Sequence, residues 1–237
     1  MMTILPYTYA ENIRISFGET LPPWVLNDGE EGILIDLLTA CLEPSGHSLT
    51  VQLFPYARRL TEYKNNRVDA VTDVNPANIA AGQIQGYFTG NIYAYTNHFY
   101  SLADNGFDLN SMKDIRDHSL ISWQGATTVL GEAYQEMAQN NPNYREIDQQ
   151  ETQVRMLATN RTDFIQMDAE IFNYYRAKLV AEKKIDSALE YDRFDLLGFS
   201  PNGVLFRSEK VRDDCVRNLQ SLPEDDPLQA ILNGGSN

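Results

Sequence analysis

The chain has 237 residues, 43% of them hydrophobic and 22% charged, with 19 Lys and Arg against 33 Asp and Glu and a formal net charge of −14. That length suits one large or two small domains with a packed core. So acidic a surface disfavours DNA, RNA and anionic lipid as partners, because binding them needs clustered cations that displace counterions. No apolar run approaches the ~18 residues of a transmembrane helix. Residues 1–11 lack the basic start and long apolar stretch of a signal peptide, so the protein is either cytosolic or one from which a leader was removed.

Residues 13–17 alternate apolar and polar, as a short strand does, and a Gly-Pro-rich turn follows. Residues 33–42 read as an apolar helix stopped by Pro44 and Gly46, and alternation returns over 49–54, which completes a βαβ unit of a parallel sheet. A helix is expected over 58–64 and a strand over 68–72. Residues 92–102 form a long aromatic strand-like segment. A second succession begins with a strand at 119–123, a small-residue turn at 124–128 and a helix over 129–139. Helices over 152–158 and 169–182 flank a strand at 163–167, and a strand at 203–207 and a polar helix over 210–222 close the pattern. Asn66-Arg67-Val68-Asp69 and Asn160-Arg161-Thr162-Asp163 echo one another, each following a helix and opening a strand, which points to two similar lobes. Asp69 and Asp163 read as turn formers. Cys41 and Cys215 are too few for a disulfide framework; two unpaired core thiols are the simpler reading and one bridge the alternative.

Catalytic motifs are lacking. His47, His98 and His118 are dispersed without metal-ligand spacing, and there is no nucleophile elbow, no P-loop and no dinucleotide fingerprint, so no metal or cofactor is expected. Binding fits better. In open α/β sheets, ligands sit beyond the carboxyl ends of strands, and the segments placed there are 19–24, 55–58, 73–75, 123–128 and 166–168. They combine aromatic, hydroxyl, amide and carboxylate groups with one guanidinium, a mixture suited to a small-molecule pocket.

The succession Leu21-Pro22-Pro23-Trp24, Gly32-Ile33-Leu34-Ile35-Asp36-Leu37, Pro55-Tyr56-Ala57-Arg58-Arg59-Leu60, the two echoes and Trp123-Gln124-Gly125-Ala126 resembles the family 3 bacterial extracellular solute-binding proteins, periplasmic receptors of polar amino-acid uptake. The resemblance implies an α/β fold of the two-lobed, periplasmic-binding-protein-like type (type II, Venus-flytrap), with two crossing hinge strands. Lobe 1 would be discontinuous, 1–95 plus 199–237, with lobe 2 at 96–198. It further implies a periplasmic, non-enzymatic monomer without cofactor. Such a receptor captures a small polar solute, an amino acid or related amine, by hinge closure and delivers it to the membrane permease of an ABC transporter. Two alternatives stand beside it: a periplasmic cyclohexadienyl dehydratase with Glu19 or Asp168 as general acid, or the extracellular sensor module of a longer signalling receptor.

The family's Asp that holds the ligand ammonium matches Asp168, and the turn that supplies donors to the ligand carboxylate matches Gly125, Ala126, Thr127 and Thr128. The family's carboxylate-gripping Arg has no counterpart, for no Lys or Arg stands between Arg67 and Lys113. Arg58 is the candidate replacement, against the rival reading of a solvated helix start. If Arg58 does not reach, an amine or neutral solute would suit Glu19, Asp73 and Asp168. Trp24 and Tyr56 are expected as cleft walls and Trp123 at the hinge. Asp73 and Asn75 are expected near the ligand, with Asp73 alternatively capping the segment that begins at Pro76.

Overall fold

The computed structural model describes residues 10–19 and 21–235, without the side chains of Asn27, Tyr56 and Ala57. The chain divides into two compact units, one built from residues 1–94 and 201–237 and the other from residues 95–200.

In the first unit, β1 (Asn12–Gly18) leads through a turn to α1 (Ile33–Leu42), then β2 (Ser48–Phe54), α2 (Tyr56–Lys64), β3 (Ala70–Val74), α3 (Pro76–Ala81) and β4 (Tyr87–Phe88). The second unit is entered within β5 (Tyr93–Leu102). It continues with β6 (Leu120–Trp123), α4 (Ala126–Val129), α5 (Glu132–Asn140), β7 (Tyr144–Ile147), α6 (Gln150–Ala158), β8 (Phe164–Asp168), α7 (Ala169–Ala181) and β9 (Tyr191–Phe194). The chain returns to the first unit within β10 (Phe199–Phe206) and ends in α8 (Glu209–Gln220) and α9 (Leu228–Gly235).

The first unit's sheet runs β2-β1-β3-β10; β1 is parallel to both β2 and β3, and β10 is antiparallel to β3. The second unit's sheet runs β5-β8-β6-β7, with β6 parallel to β7 and β8 and with β5 antiparallel to β8 and β9. Parallel strands align their carboxyl ends, so in each unit the loops after them share one sheet edge. Tyr63, Val68, Val71, Val74, Ile84 and Leu205 build a core in the first unit, and Phe99, Leu120, Tyr134, Met137 and Phe164 one in the second.

Several local readings change. The helix expected over 129–139 is two, α4 starting already at Ala126 and α5 at Glu132, because Gly131 sits at φ 89° and breaks the ladder. Short β7 and β9 carry no strong alternation and are not evident from the sequence. The two N-R-x-D echoes share one geometry. Asn66 (φ 60°) and Asn160 (φ 52°) end α2 and α6 in the left-handed conformation that asparagine tolerates. Asp69 then accepts from the backbone N–H and guanidinium of Arg14 on β1, and Asp163 from the N–H and hydroxyl of Ser119 just before β6. Each echo thus ties the start of one parallel strand to its neighbour.

The reading of two unpaired thiols is corrected: Cys41 of α1 and Cys215 of α8 form a disulfide. Both lie on the apolar faces along which the helices pack, and both are fully buried. The bridge spans 174 residues of sequence, and the chain-entropy estimate for such a loop is about 5 kcal/mol. Nearby on α8, Asp214 accepts from Lys210 Nζ at 2.6 Å, from Arg217 and from His47 Nε2 at 3.4 Å. Burial alone would raise its pKa, but these three partners outweigh burial and hold it at about 2.

Reducing the bridge, or replacing both cysteines by alanine, is expected to lower Tm by roughly 10 to 20 °C for a chain of this size; an unchanged melting curve would contradict a stabilising role. Asp214 is depressed below an unfolded value near 4, so its contribution is present above about pH 4 and lost as pH falls toward 2. Asp214→Asn should therefore destabilise at pH 7, by denaturant titration, with the difference shrinking on acidification through that window.

Candidate functional site

In the first unit the loops after β1, β2 and β3 share the sheet edge. The centre of this edge is a buried ion pair. Arg59 of α2 is 1% exposed, and its Nη1 donates to Asp73 Oδ2 at 2.7 Å and to the Thr72 carbonyl at 2.5 Å. Tyr93 donates its hydroxyl proton to Asp73 Oδ1 at 3.0 Å and accepts the Asp73 backbone N–H at 2.7 Å. Burial, and next the Asp73 charge, push the Tyr93 phenol well above its ordinary pKa, so it stays a donor. Asp73 itself sits at φ 53°. Val71 pairs with Leu205 and Val74 with Gly203, so Thr72 and Asp73 together face Val204 alone, which is a β-bulge. An aspartate in the left-handed region inside a bulge is strain held by its surroundings, and such strain gathers at functional sites.

Trp24 is 3% exposed and its ring lies 6.1 Å from that of Tyr93. The carbonyls of Pro23 and Trp24 accept from Ile33 and Leu34, which anchors the turn to the start of α1. Glu19 is exposed, with its N–H on the Phe54 carbonyl. Asn75 caps α3, accepting from the Asn78 N–H at 3.0 Å while Asn78 returns the bond; the capping role considered for Asp73 therefore belongs to Asn75. The Arg58 side chain is 59% exposed, with Nε on Glu62 Oε1 at 2.9 Å and its guanidinium over the Phe54 ring. The Tyr56 side chain lies outside the described residues.

In the second unit β6 ends at Trp123, which packs against the core, and Gly125 turns the chain at φ 101° into α4. The turn has an occupant. Glu146 of β7 accepts at Oε2 from the Gly125 N–H (2.7 Å), and at Oε1 from the Thr127 N–H (3.0 Å), the Thr127 hydroxyl (2.9 Å) and the Tyr144 hydroxyl (2.9 Å). Burial pulls the Glu146 carboxyl up, but the Gly125 and Thr127 N–H groups and the two hydroxyls outweigh it and hold it low. Ala126 is fully buried in the core, and Thr128 donates its hydroxyl to the Gly125 carbonyl at 2.7 Å. Asp168 ends β8 at 4% exposure; its carboxylate caps α7 through Glu170 and Ile171 and also accepts from the Thr96 N–H at 2.8 Å.

Arg59, Tyr93, Tyr144 and Glu146 were not singled out from the sequence. Arg59 stands four residues before Tyr63, on the same helical face, a spacing that marks it as inward-facing. Among the described residues no group of three or more His, Cys, Asp or Glu could hold a metal.

No family model matches the chain and no curated protein matches it. Solved structures do. An ancestral arginine-binding protein bound to arginine superposes with a TM-score of 0.70 at 13% identity, covering 95% of this chain and 98% of that one. A substrate-binding protein of an ABC uptake transporter from Streptococcus pneumoniae with bound histidine gives 0.69 at 20% identity, covering 93% and 90%. The ancestral amino acid-binding protein AncCDT-1, a precursor of cyclohexadienyl dehydratase, gives 0.68 at 14% identity, covering 94% and 93%. The chain therefore has the α/β, two-lobed, type II periplasmic-binding-protein fold of these proteins.

Asp73→Ala withdraws the carboxylate that faces buried Arg59 and is expected to cost ~3 to 5 kcal/mol. Asp73→Asn keeps the tolerated backbone geometry and should cost less; equal urea midpoints for both variants and the parent would refute the pair's role.

Proposed function

We propose that the protein is a receptor for a small polar solute, an amino acid or a related amine, and that it works by closing on its ligand. The observation that carries this reading is the full-length correspondence of fold with amino-acid-binding proteins, one holding arginine and another histidine. Two further features support it. Each unit gathers aromatic, carboxylate and hydroxyl groups at the carboxyl ends of its parallel strands, where ligands of α/β proteins bind. A buried disulfide suits an oxidising compartment, and we take the periplasm as the site of action, with a membrane permease of an ABC transporter as recipient of the solute.

The candidate contacts are Glu19, Trp24, Tyr56, Arg58, Asp73 and Asn75 in the first unit, and in the second Trp123, Asp168 and the turn of Gly125, Ala126, Thr127 and Thr128, whose donors Glu146 already occupies. An enzymatic role is less well supported. Of the two carboxyls considered as general acid, Glu19 is exposed and Asp168 spends its carboxylate on the backbone N–H groups of Thr96, Glu170 and Ile171.

Native mass spectrometry of the purified protein, followed by thermal-shift titration with amino acids and amines, tests the reading. A bound solute and a stabilisation of about 2.7 kcal/mol at a ligand concentration a hundred times Kd are expected. No retained solute and no shift with any compound, or turnover of prephenate or arogenate, would replace it.

A further inference from the structure

At the carboxyl end of β6, the backbone N–H groups of Gly125 and Thr127 and the Thr127 hydroxyl converge on a single carboxylate, with the Tyr144 hydroxyl completing the set. Converging N–H groups on a tight turn are the equipment with which a protein binds an anion. Here that anion is internal. Tyr144 and Glu146 alternate on the same side of β7, and Tyr144 lies edge-on against Tyr134, 6.1 Å between rings, whose hydroxyl in turn meets Ser122 on β6. The carboxylate is thus seated by packed groups on three neighbouring elements. A ligand carboxylate would have to displace a tethered competitor, whose effective concentration is on the order of millimolar or more. It would also leave Glu146 stripped of its charge-assisted bonds.

The rest of the edge has the same bias. Residues 124–131, 148–154 and 168–175, which follow β6, β7 and β8, contain no Lys or Arg, whereas Asp148, Asp168 and Glu170 are among them. In the first unit, residues 19–32 and 73–95 also lack Lys and Arg, while Arg58 and Arg59 face Glu62 and Asp73. Charge complementarity favours a cation at such edges.

From this we propose that Glu146 is a specificity-determining residue that fills the turn at 125–128, rejects a ligand carboxylate there, and makes the receptor selective for an organic cation without a free carboxylate. The proposal rests on the receptor reading given above. Glu146 acts as a positioning residue, holding the turn's donors rather than touching the ligand.

Isothermal titration of the full chain against matched pairs of an amino acid and its decarboxylated amine provides the test: arginine with agmatine, lysine with cadaverine, histidine with histamine. At least one amine is expected to bind about tenfold or more tightly than its amino acid, a difference well outside titration error. Glu146→Ala should narrow that ratio by freeing the donors. Glu146→Gln, which removes the charge and sets an NH2 donor against one of the turn's two N–H groups, should narrow it as well and decides the point if the alanine variant does not fold. An amino acid that binds as tightly as its amine overturns the proposal and leaves the receptor reading intact. An amine preference that every folded variant retains unchanged removes Glu146 as its cause. If no member of any pair binds and native mass spectrometry finds no solute, the receptor reading fails and the proposal with it.

Discussion

A guanidinium withdrawn from water must be met by a carboxylate, and that requirement organises the edge of the first unit. Arg59 is 1% exposed. A charge so placed is tolerated when it is paired and hydrogen-bonded, and the partner, Asp73, reaches it from a bulge in β3 at a positive φ. Tyr93 satisfies the remaining carboxylate oxygen and the Asp73 N–H together, and Trp24 packs against Tyr93. β3, α2 and, through Tyr93, Trp24 thus meet around one neutralised pair.

The second unit meets the converse requirement. There the fixed groups are donors, the N–H groups of the tight turn after β6, and the group brought to them is Glu146. In each unit one carboxylate at the carboxyl ends of the parallel strands, Asp73 in the first and Glu146 in the second, accepts from groups of its own unit. Such pairing rigidifies the edge, because Asp73 and Glu146 are each held by more than one partner. It also shapes chemistry, since donors already engaged are poor at recruiting a ligand anion, while the carboxylates left along the loops still set the sign of the local field.

Away from these edges the first unit is braced by covalent and ionic ties of long sequence range. The Cys41–Cys215 bridge joins the first helix to one formed by the returning chain. Beside it, Asn218 donates to the Cys41 carbonyl, and Asp214 gathers Lys210, Arg217 and His47. A unit assembled from two distant chain segments would otherwise have to close its long loop at full entropic cost.

Much of the architecture was legible in the sequence, because hydrophobic periodicity is a local property. The apolar run of α1, the alternation of β1 and β2, and the Asn-Arg-x-Asp echoes mark helices, parallel strands and helix ends without reference to anything distant. The same periodicity missed β7 and β9, whose few residues sit partly buried and show no clean alternation. Composition and order of motifs were enough to place the loops that follow the parallel strands, and the sequence alone shows that no Lys or Arg stands between Arg67 and Lys113. Only the tertiary structure decided which charges are spent. Arg58 and Arg59 are neighbours in sequence, yet one faces solvent and the other the core, because a helix turns by about 100° per residue. Glu146 finds Gly125 only through the β6–β7 pairing, and Cys41 finds Cys215 only through packing of α1 on α8. Pairings of that range depend on where folding puts the partners, which local patterns in the chain do not encode.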